Sequence, residues 1–196
     1  MALTAEKTTK VSKEANSAEN GVGAQSTGGA FEAAFREHWP RVVATLYRLV
    51  GESDEAEDLA LETFWRLYRD QPPLARPESL RGWLYRVATN LGLNALRARK
   101  RRKSYEAQAS QQDLVENHPN DPAEEIERIQ EGSRVRLALA QVKPRSAQLL
   151  LLRHSGFSYA EIATALGIAP ASVGALLARA EREFEERYRR LDPRGL

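Results

Sequence analysis

Between Arg81 and Lys103 the chain reads RGWLYRVATNLGLNALRARKRRK, and its polar residues are of the types that hold nucleic acid. Stepping by three or four gives Arg86, Asn90, Asn94, Arg97 and Arg101, a stripe of guanidinium and amide groups. Six of the seven positions from Arg97 to Lys103 are cationic: Arg97, Arg99, Lys100, Arg101, Arg102 and Lys103. Such groups neutralise phosphates, and amides pair with base edges. Trp83 and Tyr85 add rings on which bases can stack. The simpler alternative is a solvated helix end, because cations near a C-terminus complement the helix dipole. One or two would serve that purpose. Six repel one another unless an anion lies among them, so nucleic acid is the expected partner.

Catalysis has little to work with. His38, His118 and His154 lie far apart and there is no cysteine, so thiolate metal sites and disulfides are excluded. No glycine loop for cradling phosphate is present. The expectation is a protein that is not an enzyme and carries no cofactor or metal.

The cationic residues need a rigid support. Leu84, Val87, Ala88, Leu91, Ala95 and Ala98 recur every three or four positions. That period predicts an amphipathic helix over 81–103, capped by Ser79 and roughly 35 Å long at ~1.5 Å per residue. Upstream, residues 1–30 have almost no large apolar side chain and are expected to be a disordered tail. Phe31, Phe35, Trp39, Val42, Val43, Leu46, Tyr47 and Val50 then mark a first helical face, which Gly51 ends and Pro40 should kink or split. Ser53 is expected to cap a second helix with acids massed in its first turns, as the dipole favours. Its inner face is Ala56, Leu59, Ala60, Thr63, Phe64, Leu67 and Tyr68. Leu61 and Trp65 fall on the outer side beside Asp58 and Glu62, a patch suited to a partner helix bearing arginine. The competing reading folds Trp65 back onto a neighbour.

Gln71 to Pro77 holds three prolines and reads as a rigid loop into the basic helix. Residues 31–103 form the first expected domain and 104–123 an acidic linker. The second domain, 124–191, begins with a helix carrying Ile126, Ile129, Leu137 and Ala140, and Pro144 breaks the chain after it. An apolar helix, SAQLLLLRHSG, follows. Ser158 and Glu161 have the spacing of a capping box, Gly167 permits a tight turn, and Pro170 suits a first helical position. Ile162, Ala163, Leu166, Val173, Leu177 and Ala180 point to the core, which gives a helix-turn-helix layout. The fold class is all-α: two small helical domains joined by a flexible acidic linker, the second a helix-turn-helix.

The formal charge of +2 hides segregation. Residues 52–70 carry seven acids against two arginines, 76–103 nine bases against Glu78 alone, and 104–127 seven acids with no Lys or Arg. Such blocks point to charged partners. No apolar run approaches the ~18 residues of a membrane span, and no signal-peptide core opens the chain. A cytoplasmic protein with no membrane partner is expected.

Three stretches in order, AEDLALETFWRLY, RGWLYRVATNLGLNALRARKRR and GFSYAEIATALGIAPASVGALLARA, resemble a bacterial RNA polymerase sigma factor of the extracytoplasmic-function (ECF) group. The resemblance covers about 31–103 and 125–190. It implies a dissociable polymerase subunit that recognises and opens promoters. Asp58, Leu61, Glu62 and Trp65 would bind the polymerase clamp helices, with flap-type contacts made elsewhere. Arg81, Arg86, Asn90, Asn94, Arg97, Arg99, Lys100 and Arg101 would engage the promoter element nearest the start site, with the 72–80 loop near an extruded base. The last helix would enter the major groove upstream, offering Ser172, Arg179 and Arg182. Gly174, Ala175, Leu176 and Glu181 depart from the basic and polar residues usual there, which leaves three alternatives: weak upstream readout, readout by backbone amides at the helix N-terminus, or a protein contact in its place. The family also implies an anti-sigma partner. The alternative is a free-standing helix-turn-helix regulator of transcription.

Overall fold

The computed structural model describes residues 29–70, 77–109 and 123–191, which form seven helices and no strand. The expected tail (to residue 28), the proline-rich loop at 71–76 and residues 110–122 of the expected linker lie outside the described residues. Two compact units divide between Trp39 and Pro40. The first helix, α1, covers 29–50, with helical backbone on both sides of Pro40. Within the first unit, Phe31, Phe35 and Trp39 follow one another a turn apart: the Phe31 and Phe35 rings are tilted with centroids 6.2 Å apart, and Phe35 stacks on Trp39 at 4.8 Å.

In the second unit, Val42, Leu46, Leu49 and Val50 of α1 are buried, whereas Tyr47, expected on the same face, is exposed. It sits one residue past Leu46, about 100° round the helix, on the flank of the apolar stripe. Gly51 adopts φ 85°, a left-handed conformation that glycine reaches without steric penalty, and its N–H donates to the Tyr47 carbonyl at 2.7 Å.

Helix α2, Ser53–Asp70, carries Asp54 and Glu55 in its first turn, at the positive end of its dipole. It buries Ala56, Ala60, Thr63, Phe64 and Leu67. Tyr68, expected inside, lies out beside Trp65.

Helix α3, Pro77–Ala109, is longer than the expected 81–103 at both ends. Pro77 fits the first turn, where its missing N–H would have had no partner. Beyond Lys103 no glycine or proline stops the helix, so 104–109 of the expected linker is helical. Leu84, Tyr85, Ala88, Leu93 and Leu96 are buried. At Gly92 the approach of α1 is so close that a Cβ would lie 2.5 Å from Leu49 Cδ2.

Four helices follow: α4 (Ala123–Gln141), α5 (Pro144–His154), α6 (Tyr159–Leu166) and α7 (Pro170–Arg189). The Ser158 hydroxyl accepts from the Glu161 N–H, and the Glu161 carboxylate accepts from the Ser158 N–H at 2.7 Å, a complete capping box. Gly167 ends α6 at φ 62°, Pro170 opens α7, and the two helices are bent by 92°, the angle range of a helix-turn-helix.

Helix α3 packs against α2 and also against α4, α5 and α6. One core cluster joins Leu49 of α1, Leu93 and Leu96 of α3, Leu139 and Ala140 of α4, Val142, and Ala147 of α5. The two helical regions come in the expected order, and residues of both contribute to this cluster. The physical reason is that α3 buries residues on two sides, toward α1 and α2 and toward α4 to α6. No single helix among the described residues is long and apolar enough to cross a membrane.

Candidate nucleic-acid interface

The polar residues of α3 fall into two groups. Arg86, Asn94, Lys100, Arg101 and Arg102 are exposed, with no hydrogen-bond or ion-pair partner among the described residues. Three of these cations, Lys100, Arg101 and Arg102, are consecutive and form an open positive stretch of α3. Phosphate is the complementary ligand for such a group, because each neutralised phosphate releases condensed counterions.

The other group is engaged within the fold. Arg81 donates from Nη1 to Glu161 Oε1 at 3.0 Å and from Nη2 to the Ser155 carbonyl at 3.3 Å. Its guanidinium lies 4.0 Å from the centroid of Phe157. An ion pair at this exposure contributes roughly 0–1 kcal/mol and the cation–π contact ~0.5–2 kcal/mol. Asn90 accepts through Oδ1 from Gln148 Nε2 at 2.9 Å. Arg97 donates to the Val142 carbonyl at 3.1 Å, and burial lowers its pKa from the ordinary arginine value. Arg99 donates to the Val50 carbonyl at 3.1 Å and to Glu55 at 2.9 Å. Tyr85, expected as a base-stacking platform, is buried with its ring in an edge contact with Phe157, centroids 5.0 Å apart. Trp83 is half-buried.

On α2 the outer patch is open. Leu61 is 54% exposed and Trp65 56%, so the ring does not fold back into the core. Tyr68 stacks with Trp65 at 6.0 Å between centroids and widens the apolar surface. Asp58 is exposed beside it, and Glu62 accepts from Arg66 Nε at 2.8 Å one turn on. An aromatic and aliphatic cluster with carboxylates at its edge has the composition of a binding anchor.

On α7, Ser172, Arg179 and Arg182 are all exposed, while Val173, Leu177 and Ala180 are buried. Arg182 Nε donates to the Ala178 carbonyl at 3.2 Å, which leaves its other donors outward. A Cβ on Gly174 would only touch Tyr159 at 3.5 Å, so the glycine is not needed to make room there.

Sequence reasoning missed Gln148, Ser155 and Phe157 as partners of α3, and Tyr68 as part of the α2 patch. Phe157 follows a glycine in a sequence that reads as a turn, and nothing in its spacing marks it as fully buried. The Tyr68 signal was present: it lies three residues after Trp65, close enough to share a helix face.

Comparison with known proteins supplies the family. The profile for Sigma-70 region 2 matches residues 34–102, and that for Sigma-70 region 4 matches 133–184. The ECF RNA polymerase sigma factor SigE of Mycolicibacterium smegmatis is 31% identical over 165 residues, which is 84% of this chain. This chain spans 63% of that protein's length. The RNA polymerase sigma factor CarQ of Myxococcus xanthus is 30% identical over 158 residues, covering 80% of this chain and 86% of CarQ. Among solved structures, the sigma factor RpoE in complex with the anti-sigma factor NepR from Bartonella quintana aligns at a TM-score of 0.47 and 23% identity, over 80% of this chain and 95% of that one. With the two region profiles in order and a relative matched over most of its own length, the chain belongs to the ECF group of the sigma-70 family of RNA polymerase sigma factors.

Proposed function

We propose that this chain is a non-catalytic, dissociable subunit that binds core RNA polymerase, recognises a promoter and opens it for transcription. The observation that carries the reading is the pairing of two unlike surfaces on adjacent helices. Helix α2 presents Asp58, Leu61, Glu62 and Trp65, with Tyr68, for a helical partner on the polymerase clamp. Helix α3 presents Arg86, Asn94, Lys100 and Arg101 for DNA, with Arg81, Asn90, Arg97 and Arg99 on the same helix. Cations fix register on phosphates, and amides are the groups that read bases. Helix α7 approaches the upstream element with Ser172, Arg179 and Arg182. Its side chains at Gly174, Ala175 and Leu176 offer no hydrogen bonds, so duplex readout there is weak. Such a subunit works with the polymerase in the cytoplasm, and an anti-sigma protein is the further partner its family implies.

The test is reconstitution. Core polymerase is mixed with this chain and with genomic DNA of its source, and transcript 5′ ends are mapped. Discrete new start sites support the reading, and a transcript set identical to that of core alone refutes it. A free-standing regulator would instead bind duplex DNA tightly without polymerase, which a gel shift reads directly. The exposed α2 patch favours the polymerase subunit, since a regulator acting alone has no use for it.

A further inference from the structure

The described residues hold a groove that neither the α2 patch nor the cationic face of α3 uses. It lies between the end of α1 and helices α4, α5 and α7, and its volume is about 690 Å³. Its apolar lining includes Leu49, Val135, Leu139, Leu150, Leu151 and Phe184. Four of these, Val135, Leu150, Leu151 and Phe184, are only partly buried, so apolar surface remains open to a ligand. The charges of the groove differ in their pairing. Glu131 is satisfied at both oxygens, by the Tyr188 hydroxyl and by Arg134 Nη2 at 2.6 Å. Arg136 is not. It is half-buried, and among the described residues its one hydrogen bond goes to Ser133 Oγ at 3.0 Å, with no carboxylate in ion-pair contact. Most of its five N–H donors are therefore unused. Burial lowers its pKa from the ordinary arginine value, Arg99 lowers it further, and Tyr47 and Glu52 oppose them. Two carbonyls at the end of α1 are already engaged, that of Tyr47 by the Gly51 N–H and that of Val50 by Arg99. Two glycines make room for the guanidinium: a Cβ on Gly51 would lie 2.9 Å from Arg136 Cζ, and one on Gly132 3.2 Å from Nη1. Arg48, exposed on α1, adds a second cation to the lining.

We propose that this groove is a binding site for a small aliphatic carboxylate, its apolar body against Leu139, Leu150 and Phe184 and its anionic head on Arg136. A carboxylate matches a guanidinium in a two-bond fork, and a partly buried cation without a counter-charge is the group that gains most from one. The volume falls within the ~300–1,000 Å³ of small-molecule sites. It is small for a partner's helix, one turn of which, ~10–12 Å across and ~5.4 Å long, fills about 400–600 Å³. The site goes beyond the promoter-binding reading and does not depend on it. Because α1, α4, α5 and α7 all contribute, a bound molecule ties them together and stabilises the chain by mass action.

The probe is decanoate, with decyltrimethylammonium as the control that keeps the tail and reverses the charge of the head. Both are titrated into the isotopically labelled full chain and followed by NMR. The site predicts saturable binding of one decanoate per chain, with shifts in the Arg136 Nε–H and in the methyl signals of Leu139 and Leu150. The cation should bind at least tenfold more weakly. At a decanoate concentration one hundred times its Kd, Tm should rise by about 5 °C or more. Arg136→Gln should abolish the preference for the anion, and Leu150→Trp, which fills the groove, should weaken decanoate at least tenfold. Thermal unfolding verifies that each variant is folded, and the wild-type titration decides the matter if either is not. Absence of saturable binding to the full chain overturns the site, including the case in which the groove accepts only a protein segment. Equal affinity for the two heads, or shifts confined to another face, overturns it as well.

Discussion

Trp65→Ala separates binding from folding more cleanly than any other change in α2. The side chain is 56% exposed and stacks on Tyr68, while the inner face of α2 (Ala56, Ala60, Thr63, Phe64 and Leu67) is untouched. Stability of the free chain should change by no more than ~0.5 kcal/mol, as for surface positions generally. A tryptophan buries up to ~250 Å², so its exposed share offers roughly 140 Å² to a partner. At ~25 cal/mol per Å² that area is worth about 3.5 kcal/mol when fully covered. Incomplete desolvation brings the expected loss to ~2–3 kcal/mol, the range of an interface hot spot, or about 30- to 150-fold in Kd. The assay is fluorescence anisotropy of the chain labelled at its N-terminus, titrated with core polymerase, with thermal unfolding measured on the same sample. Unchanged affinity in a folded variant would refute the assignment of the α2 patch. A lost melting transition would refute the claim that Trp65 stands outside the core.

Three other outcomes follow from the same contacts. DNA affinity should fall steeply with salt, and the double variant Lys100→Gln/Arg101→Gln should reduce the log–log slope by roughly 1.4–1.8, two phosphate contacts' worth, in a salt titration. An unchanged slope would remove these two residues from the phosphate surface. Phe157→Ala empties a fully buried site and should destabilise the fold by about 3–5 kcal/mol in urea denaturation, in contrast to Trp65→Ala. The Glu161 carboxyl is held below its usual pKa by the Ser158 N–H and hydroxyl, with Arg81 adding to the effect against the opposing effect of burial. Because the folded value is the lower one, its stabilisation is complete above the unfolded-state pKa and is lost as pH falls through the depressed folded value. Glu161→Gln should therefore flatten the acid limb of a urea-midpoint-versus-pH curve, and an acid limb identical to wild type would show that another group causes it.

Much of this arrangement is legible in the residues because short-range physics sets it. The Ser158–Glu161 spacing gives the capping box, Gly167 the left-handed cap and Pro170 the start of α7, all local effects. Exposure of Leu61 and Trp65 follows from the period of α2. Boundaries were less legible where the chain lacks punctuation: nothing between Lys103 and Ala109 stops a helix, and Pro77 starts one as readily as it ends a loop. Tertiary contacts were the least legible. An Arg81 bound to Glu161 eighty residues on, or an Asn90 bound to Gln148, has the same sequence signature as a polar residue facing solvent. Two helical regions in this order were legible from the polar composition between them. The pattern of α3 alone did not disclose that its second buried side would meet α4, α5 and α6.

The central claim is that this chain, once on core polymerase, grips opened DNA through α3. Permanganate probing of a start site found by 5′-end mapping tests it most directly, because the reagent oxidises unpaired thymines. Reactive thymines should appear just upstream of the start only when core polymerase and this chain are both present, and should weaken with the Lys100→Gln/Arg101→Gln variant. Thymines that stay protected with both proteins bound, or that open equally with the variant, would contradict the account.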